Sequence, residues 1–435
     1  MKYSKLKLIF VLTLSLLNCA GEVLETRDLS IAISSKLYPV IELNHYIEKY
    51  KKAHPNITIK LTKFNPDDIP NLVNEWSVEQ NNTDLYIGGD LINLSYAVQK
   101  NSLEPLEDLL LDKLNEKKFL TSFLNDVHFL NPDNKKGYFP MLPFMGEAYM
   151  LAVNTDIFKK AGLWRDGRPV APTSFKENDM LAFFNILSPY AQDGVLLVNW
   201  SKREAFYNYL APVLAFHGSI INSKVSGFDF SEETAKYWLP LFKKLYNNKL
   251  LVLLTDQEKM IELWNKGKIA CCFHLQTHII GAVDKLGKRN NPSLGFSIWP
   301  GSEINGSLIR TRSVWIPRTA KNKDLAKQFI TEIIFDQEFQ QDLFNKYGWL
   351  PALRSAYTEG FERFREYGPL FLAIADNSTS IPLWKDLDKY ITIVEEHLEK
   401  YLMGRENLTQ ALAAIEEQAK SLDFQDLRSI YKQED

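Results

Sequence analysis

The sequence predicts an α/β fold with a mostly parallel sheet, divided between two or three domains. Three observations carry this. From Leu29 onward, segments with the two-residue period of a strand alternate with segments of helical period. The chain, 435 residues long, exceeds what one compact core accommodates. Its composition, 45% hydrophobic and 24% charged, is that of a packed globular protein. A formal net charge of −3 offers no basic face, so no nucleic acid is expected as a partner.

The first segment is a leader. Lys2, Lys5 and Lys7 precede an apolar run from Leu8 to Leu17, interrupted by Thr13 and Ser15, and Asn18-Cys19 follow. A run of about ten residues is too short to span a bilayer and has the size of a signal-peptide core. A cysteine directly after it resembles the bacterial lipobox, whose thiol is lipidated, although Asn18 stands where Gly or Ala is usual. The alternative is an ordinary secretory signal with an incidental cysteine. Either way the protein works outside the cytoplasm. The expected division is a signal peptide over 1–18 and a lipid-anchor spacer over 19–28, with Cys19 as the lipidation site. Beyond Cys19 only Cys271 and Cys272 remain, and adjacent cysteines rarely bridge each other, so no disulfide framework exists. Both suit a buried strand.

Leu29, Ile31 and Ile33 alternate as a strand. Ser34 and Ser35 then offer N-cap hydroxyls and Pro39 suits a first helical turn, with Leu43, Tyr46, Ile47 and Tyr50 at helical spacing behind them. His54-Pro55-Asn56 stops that helix, Ile57 to Leu61 alternates again, and a helical pattern runs near Ile69 to Val78. Asp84 to Gly89 reads as a short buried strand ending in glycines. Parallel sheets bind ligands at the carboxyl ends of their strands. Here those ends are Ser34-Ser35-Lys36, read as a helix N-terminus, and Gly88-Gly89-Asp90. Ser35 and Asp90 are therefore candidate ligand residues, and ordinary turns are the alternative.

Gly137 to Phe144 carries two prolines and reads as a stiff, non-helical connector. Ala148 to Val153 is a strand, and Asn154-Thr155-Asp156 caps a short helix closed by Gly162. Pro172 to Glu177 has the form of another helix start. A largely helical stretch follows from Lys202 to Asn265. Short strands are expected at Gly267–Phe273, Gly295–Gly301 and Val314–Pro317. The stripes Leu325/Phe329/Ile333, Leu387/Ile391/Val394/Leu398/Tyr401 and Leu408/Leu412/Ile415/Ala419 are helical core faces.

A series of motifs over nearly the whole mature chain resembles the extracellular solute-binding proteins of ABC importers, of the sugar-binding, maltose-binding-protein type. Tyr50 to Ile57, Thr83 to Tyr86 and Leu103 to Asp108 match its early junctions. Val153-Asn154-Thr155-Asp156-Ile157-Phe158-Lys159-Lys160-Ala161-Gly162-Leu163 is similar to its most specific core motif. Gly267 to Ala270, Ile316 to Ile330 and Gly348 to Ala352 follow in the same order. The resemblance implies a two-lobed periplasmic-binding-protein fold (type II), with discontinuous lobes joined by a hinge and ligand in the cleft between them. The expected N-terminal lobe is 29–145 plus 305–356, and the C-terminal lobe 146–304 plus 357–435. The crossings lie near Phe144, Asn305 and Tyr357. It also implies capture without catalysis and delivery to the permease subunits; no cofactor is expected, and a monomer is the default.

On the same resemblance Glu147 is the acidic hinge residue that accepts sugar hydroxyls. Trp200 and Tyr207 are second-lobe aromatics, and Trp384 is a C-terminal stacking ring; a core position is the alternative for these three. Gln276 follows the Cys271 strand, where the family often has a ligand-facing Trp and this chain has none. Cys271, Cys272, His274 and His278 match no structural zinc pattern, so no metal is expected. Arg310 and Arg312 alternate about Thr311, so both can face one side. Two guanidiniums at a cleft suit a carboxylate or phosphate, which makes an acidic or phosphorylated sugar the variant they favour. Their alternative is pairing with Glu147, Asp90 or another local acid. Rival classes are an exported carbohydrate-active enzyme and a surface adhesin or sensor lipoprotein on the same fold. No nucleophile-elbow, HExxH or phosphate-loop motif supports the enzyme.

Overall fold

The computed structural model describes residues 26–38, 41–77, 81–89, 91–172, 176–217, 227–230, 233–273, 294–300, 302, 306–359 and 365–429. Cys19, Asp90, Gln276, His274 and His278 lie outside them.

Two sheets organise the chain, one in each lobe. The first contains β1 (Arg27–Ser34), β2 (Ile57–Phe64) and β3 (Leu85–Ile87). After a small hairpin of β4 (Phe129–Leu130) and β5 (Gly137–Tyr138), β6 (Leu142–Ala148) rejoins that sheet. The second sheet takes β7 (Leu151–Asn154). A second hairpin, β8 (Trp164–Arg165) and β9 (Arg168–Pro169), precedes β10 (Gly194–Asn199), β11 (Leu251–Leu254), β12 (Ile269–Phe273) and β13 (Leu294–Ser297). The chain then returns to the first sheet as β14 (Ile309–Trp315) and β15 (Leu350–Pro351). The strand orders are β15-β6-β14-β3-β1-β2 and β11-β10-β12-β7-β13.

Each sheet is mixed rather than mostly parallel. β2, β1 and β3 run parallel, as do β11, β10 and β12. The strands next to a crossing, β6, β14, β7 and β13, pair antiparallel. The reason is geometric: a strand that returns from the other lobe enters its sheet from the opposite end. Within the parallel parts β3 and β10 are buried on both faces, hence their near-continuous apolar runs, whereas the edge strands β2 and β11 are partly exposed.

Several local readings need correction. No helix starts at Ser34-Ser35; those residues open a turn, and the helix runs Leu43–Ala53 behind Glu42 with no side-chain cap. The segment from Gly137 to Phe144 is not a free connector, because Leu142–Ala148 is an interior strand. Its Pro143 is tolerated where the register shifts between Arg312 and Ser313 of β14. The first crossing is therefore Tyr149–Met150, between the end of β6 and the start of β7, rather than near Phe144. β11, all apolar, interrupts the stretch predicted as helical, and β10, apolar but for its terminal Asn199, precedes it.

Other readings match. Asn154 caps the Thr155–Lys160 helix by accepting from Asp156 N (3.1 Å) and Ile157 N (3.3 Å). The glycines ending β3 are required, since Gly88 and Gly89 have φ of 90° and 128°. A Cβ on Gly88 would lie 2.4 Å from Leu37.

Asp84, buried at the head of β3, fastens the first lobe. Its carboxylate accepts from Ser30 N (3.0 Å), Lys321 N (3.1 Å) and Asn322 N (2.9 Å), joining β1 to the loop behind β14. Asp84→Ala strands these donors and is expected to cost about 2–4 kcal/mol, read as a lower midpoint in urea unfolding.

Candidate functional site

The site forms where β14 passes the second lobe. Its residues Arg310, Thr311 and Arg312 stand opposite Glu147, Gly146 and Met145 of β6. Strand alternation sends the two arginines to one face and Thr311 to the other. Gly146 has to be glycine here, because a Cβ would meet Phe123 at 2.7 Å and the Arg310 carbonyl at 2.8 Å.

Arg310 reaches across to the second lobe. It forms an ion pair with Glu204, the first residue of the Glu204–His217 helix, and its guanidinium carbon lies 4.5 Å from the centre of the Tyr207 ring one turn on. Tyr149, at the crossing, donates to Glu204 Oε2 (3.1 Å) and accepts from Arg310 Nη1 (3.4 Å). Burial, and then the Glu204 carboxylate, push the Tyr149 phenol well above its ordinary range, so it stays a donor. Arg312 pairs with Glu147 (3.0 Å), a carboxylate 2% exposed, and faces the Trp349 ring. Nearby, Arg428 pairs with Asp126 (3.1 Å). Three arginines thus each hold a carboxylate.

Arg310, Arg312, Thr311, Tyr207, Asp126 and Arg428 line a pocket, completed by Leu91 and Ile92 behind the Gly88-Gly89 turn and by Ser380, Ile381 and Leu383. In this arrangement the cavity is little more than water-sized, too small for a small-molecule guest unless the lobes part. Arg203 makes a second interlobe tie. Arg203, held at φ 68°, pairs with Asp388 (2.8 Å) and donates to Asn93 Oδ1 (3.5 Å) in the first lobe.

Of the residues singled out from sequence, Glu147, Tyr207, Arg310 and Arg312 come together. The pairing alternative for both arginines is the one the structure shows, with Glu204 as a partner that sequence reading missed. Trp384 is a correction: it is 1% exposed, packed among Phe228, Tyr390 and Phe424 in the core. Trp200 is half-buried and stacked on Phe242 at 5.7 Å, outside the pocket lining. Ser35 is exposed in its turn and donates its N–H to the Phe64 carbonyl (2.8 Å). Cys271 and Cys272 are buried thiols, pushed up by that burial, and Cys271 Sγ donates to the Val195 carbonyl. Among the described residues no cluster could hold a metal ion. Tyr149, Glu204, Asp126 and Arg428 were missed because each acts through a partner far away in sequence.

A family of bacterial extracellular solute-binding proteins matches residues 45–363, and the chain belongs to it. This is a family of binding proteins and not of enzymes. No curated protein sequence matches significantly. Among solved structures, the sugar-binding protein MalE from Xanthomonas citri is 13% identical, with 91% of this chain and 96% of that one covered at a TM-score of 0.72. Maltose-bound MalE3 of T. maritima is 15% identical, covering 91% and 99% at 0.71. The GacH receptor of Streptomyces glaucescens, described unliganded and with acarbose, is 14% identical, covering 90% and 97% at 0.70. At these identities the likeness is one of fold. Among the described residues no helix is long and apolar enough to cross a membrane.

Glu204→Gln keeps the size of the side chain and removes the interlobe charge pair. It is expected to lower the closed population of the unliganded protein roughly tenfold, about 1.4 kcal/mol, read as a larger radius of gyration in X-ray scattering.

Proposed function

We propose that the chain is the substrate-binding lipoprotein of an ABC importer, that it captures a carbohydrate between its lobes, and that closure presents it to the permease. The observation that carries this reading is the pocket at Arg310, floored by the Tyr207 ring and built from both lobes. Aromatic faces with charged groups at their edges suit sugar rings and hydroxyls. The fold neighbours described with maltose, acarbose and alpha-D-tagatose support the same ligand class.

The charge pattern favours a neutral sugar over an acidic one. Arg310 and Arg312 already hold Glu204 and Glu147. A ligand carboxylate gains them only by displacing those acids, whereas hydroxyls can insert between charges without leaving one unpaired. A ligand touching both lobes shifts the hinge equilibrium toward the closed form. A lipid on Cys19 keeps the protein beside its permease, and stable anchoring takes more than one acyl chain.

Calorimetry across maltose, tagatose, maltotriose and galacturonate tests the ligand class. Saturable 1:1 binding of a neutral sugar without cleavage products is expected. Binding of galacturonate alone, abolished in Arg310→Ala/Arg312→Ala, would overturn the neutral reading. For the anchor, Cys19→Ala is expected to move the protein from the membrane pellet to the supernatant after ultracentrifugation; an unchanged distribution contradicts it.

A further inference from the structure

We propose that the C-terminal segment is a strap docked across both lobes, and that its Arg428 is a ligand-facing residue of the pocket. This rests on the carbohydrate reading for its ligand but not for its geometry. The segment follows the Leu408–Ala419 helix and pairs with both lobes in turn. On the second-lobe side, Asp426 bridges to Trp384, and Leu427 N donates to the Leu383 carbonyl (3.1 Å). On the first-lobe side, Leu130 N donates to the Leu427 carbonyl (2.9 Å) and Ser429 N to the His128 carbonyl (2.9 Å), beside a bridge between Phe129 and Arg428. The strap is thus one more tie between the lobes, held by hydrogen bonds rather than by a covalent crossing.

Between those attachments the Arg428 side chain turns into the pocket. Its Nη1 donates to Asp126 Oδ1 (3.1 Å) and to Ser380 Oγ, while its Nε, 3.5 Å from Asp426 Oδ1, is buried without a hydrogen-bond partner. Thr311 Oγ1, in the same lining, is buried without a hydrogen-bond partner. These two groups differ from Arg310 and Arg312, whose guanidiniums are engaged by Glu204 and Glu147. A sugar oxygen offered to the Arg428 guanidinium and Thr311 Oγ1 satisfies donors that otherwise lack a hydrogen-bond partner, and it displaces no carboxylate. Because Arg428 sits on the strap, a ligand held by it also tightens the strap, which couples occupancy to closure.

The test uses Arg428→Gln, Arg428→Lys and Asp126→Asn in the full-length protein, with two readouts. In maltose and galacturonate titrations Arg428→Gln is expected to raise Kd at least tenfold for whichever binds, with Arg428→Lys recovering most of the loss. An unchanged Kd in Arg428→Gln overturns the ligand-facing role. In amide hydrogen exchange of the unliganded protein, Leu130 and Leu427 are expected to lose protection together in Arg428→Gln and in Asp126→Asn, and unchanged protection in both overturns the strap. If neither these nor tagatose and maltotriose bind the wild type, the carbohydrate reading fails, and the exchange result alone decides the strap. If Arg428→Gln does not fold, Asp126→Asn carries both readouts.

Discussion

The organising constraint is the ion pair of Arg310 and Glu204 across the lobes. Neither charge is well hydrated where it sits, and neither lobe could hold its half there alone. Arg310 comes from the middle of an interior strand, where a lone guanidinium would be costly to bury. Glu204 begins a helix, where a carboxylate is favoured by the exposed N–H groups of the first turn. The two meet over Tyr207, with Tyr149 donating to the carboxylate from the crossing itself. Removing one partner would leave the other desolvated, which is why the pair acts on the whole molecule and not on one contact.

The fold makes such a pair possible. β6 and β14 are neighbours in the first sheet, yet each adjoins a crossing into the second lobe. Residues on them are fixed by sheet register on one side and meet the partner lobe on the other. Balance matters as well. A ligand that takes the closed form from 1% to 99% must prefer it by about 5.5 kcal/mol, so interlobe ties set how much of that preference the ligand has to supply.

Much of the fold was legible in the sequence because the signals were local. Strand alternation at Leu29–Ile33 and Ile57–Leu61, the Asn154 cap and the stripes at Leu387–Tyr401 and Leu408–Ala419 depend on residues a few positions apart. β10 and β11 were not legible: short, near-continuous apolar runs have no period to separate them from a helix segment. The helix expected at Ser35 failed because capping side chains serve turns equally well. In the site, Arg310, Arg312, Glu147 and Tyr207 were found as residue types near strand ends. Their pairings were not, since Glu204 lies 106 residues from Arg310 in the chain. Trp384 shows the reverse error, an aromatic whose chemistry suited a ligand and whose position in the fold is core.

The most direct measurement is the distance between the lobes during ligand titration. Cysteines introduced at exposed Lys60 of the first lobe and Lys249 of the second can carry a donor and an acceptor dye, since the native Cys271 and Cys272 are buried. If the two lobes close on their guest, transfer efficiency changes saturably as a bound sugar is added, with the same midpoint as calorimetry. An efficiency that stays constant while calorimetry reports full occupancy would contradict the account.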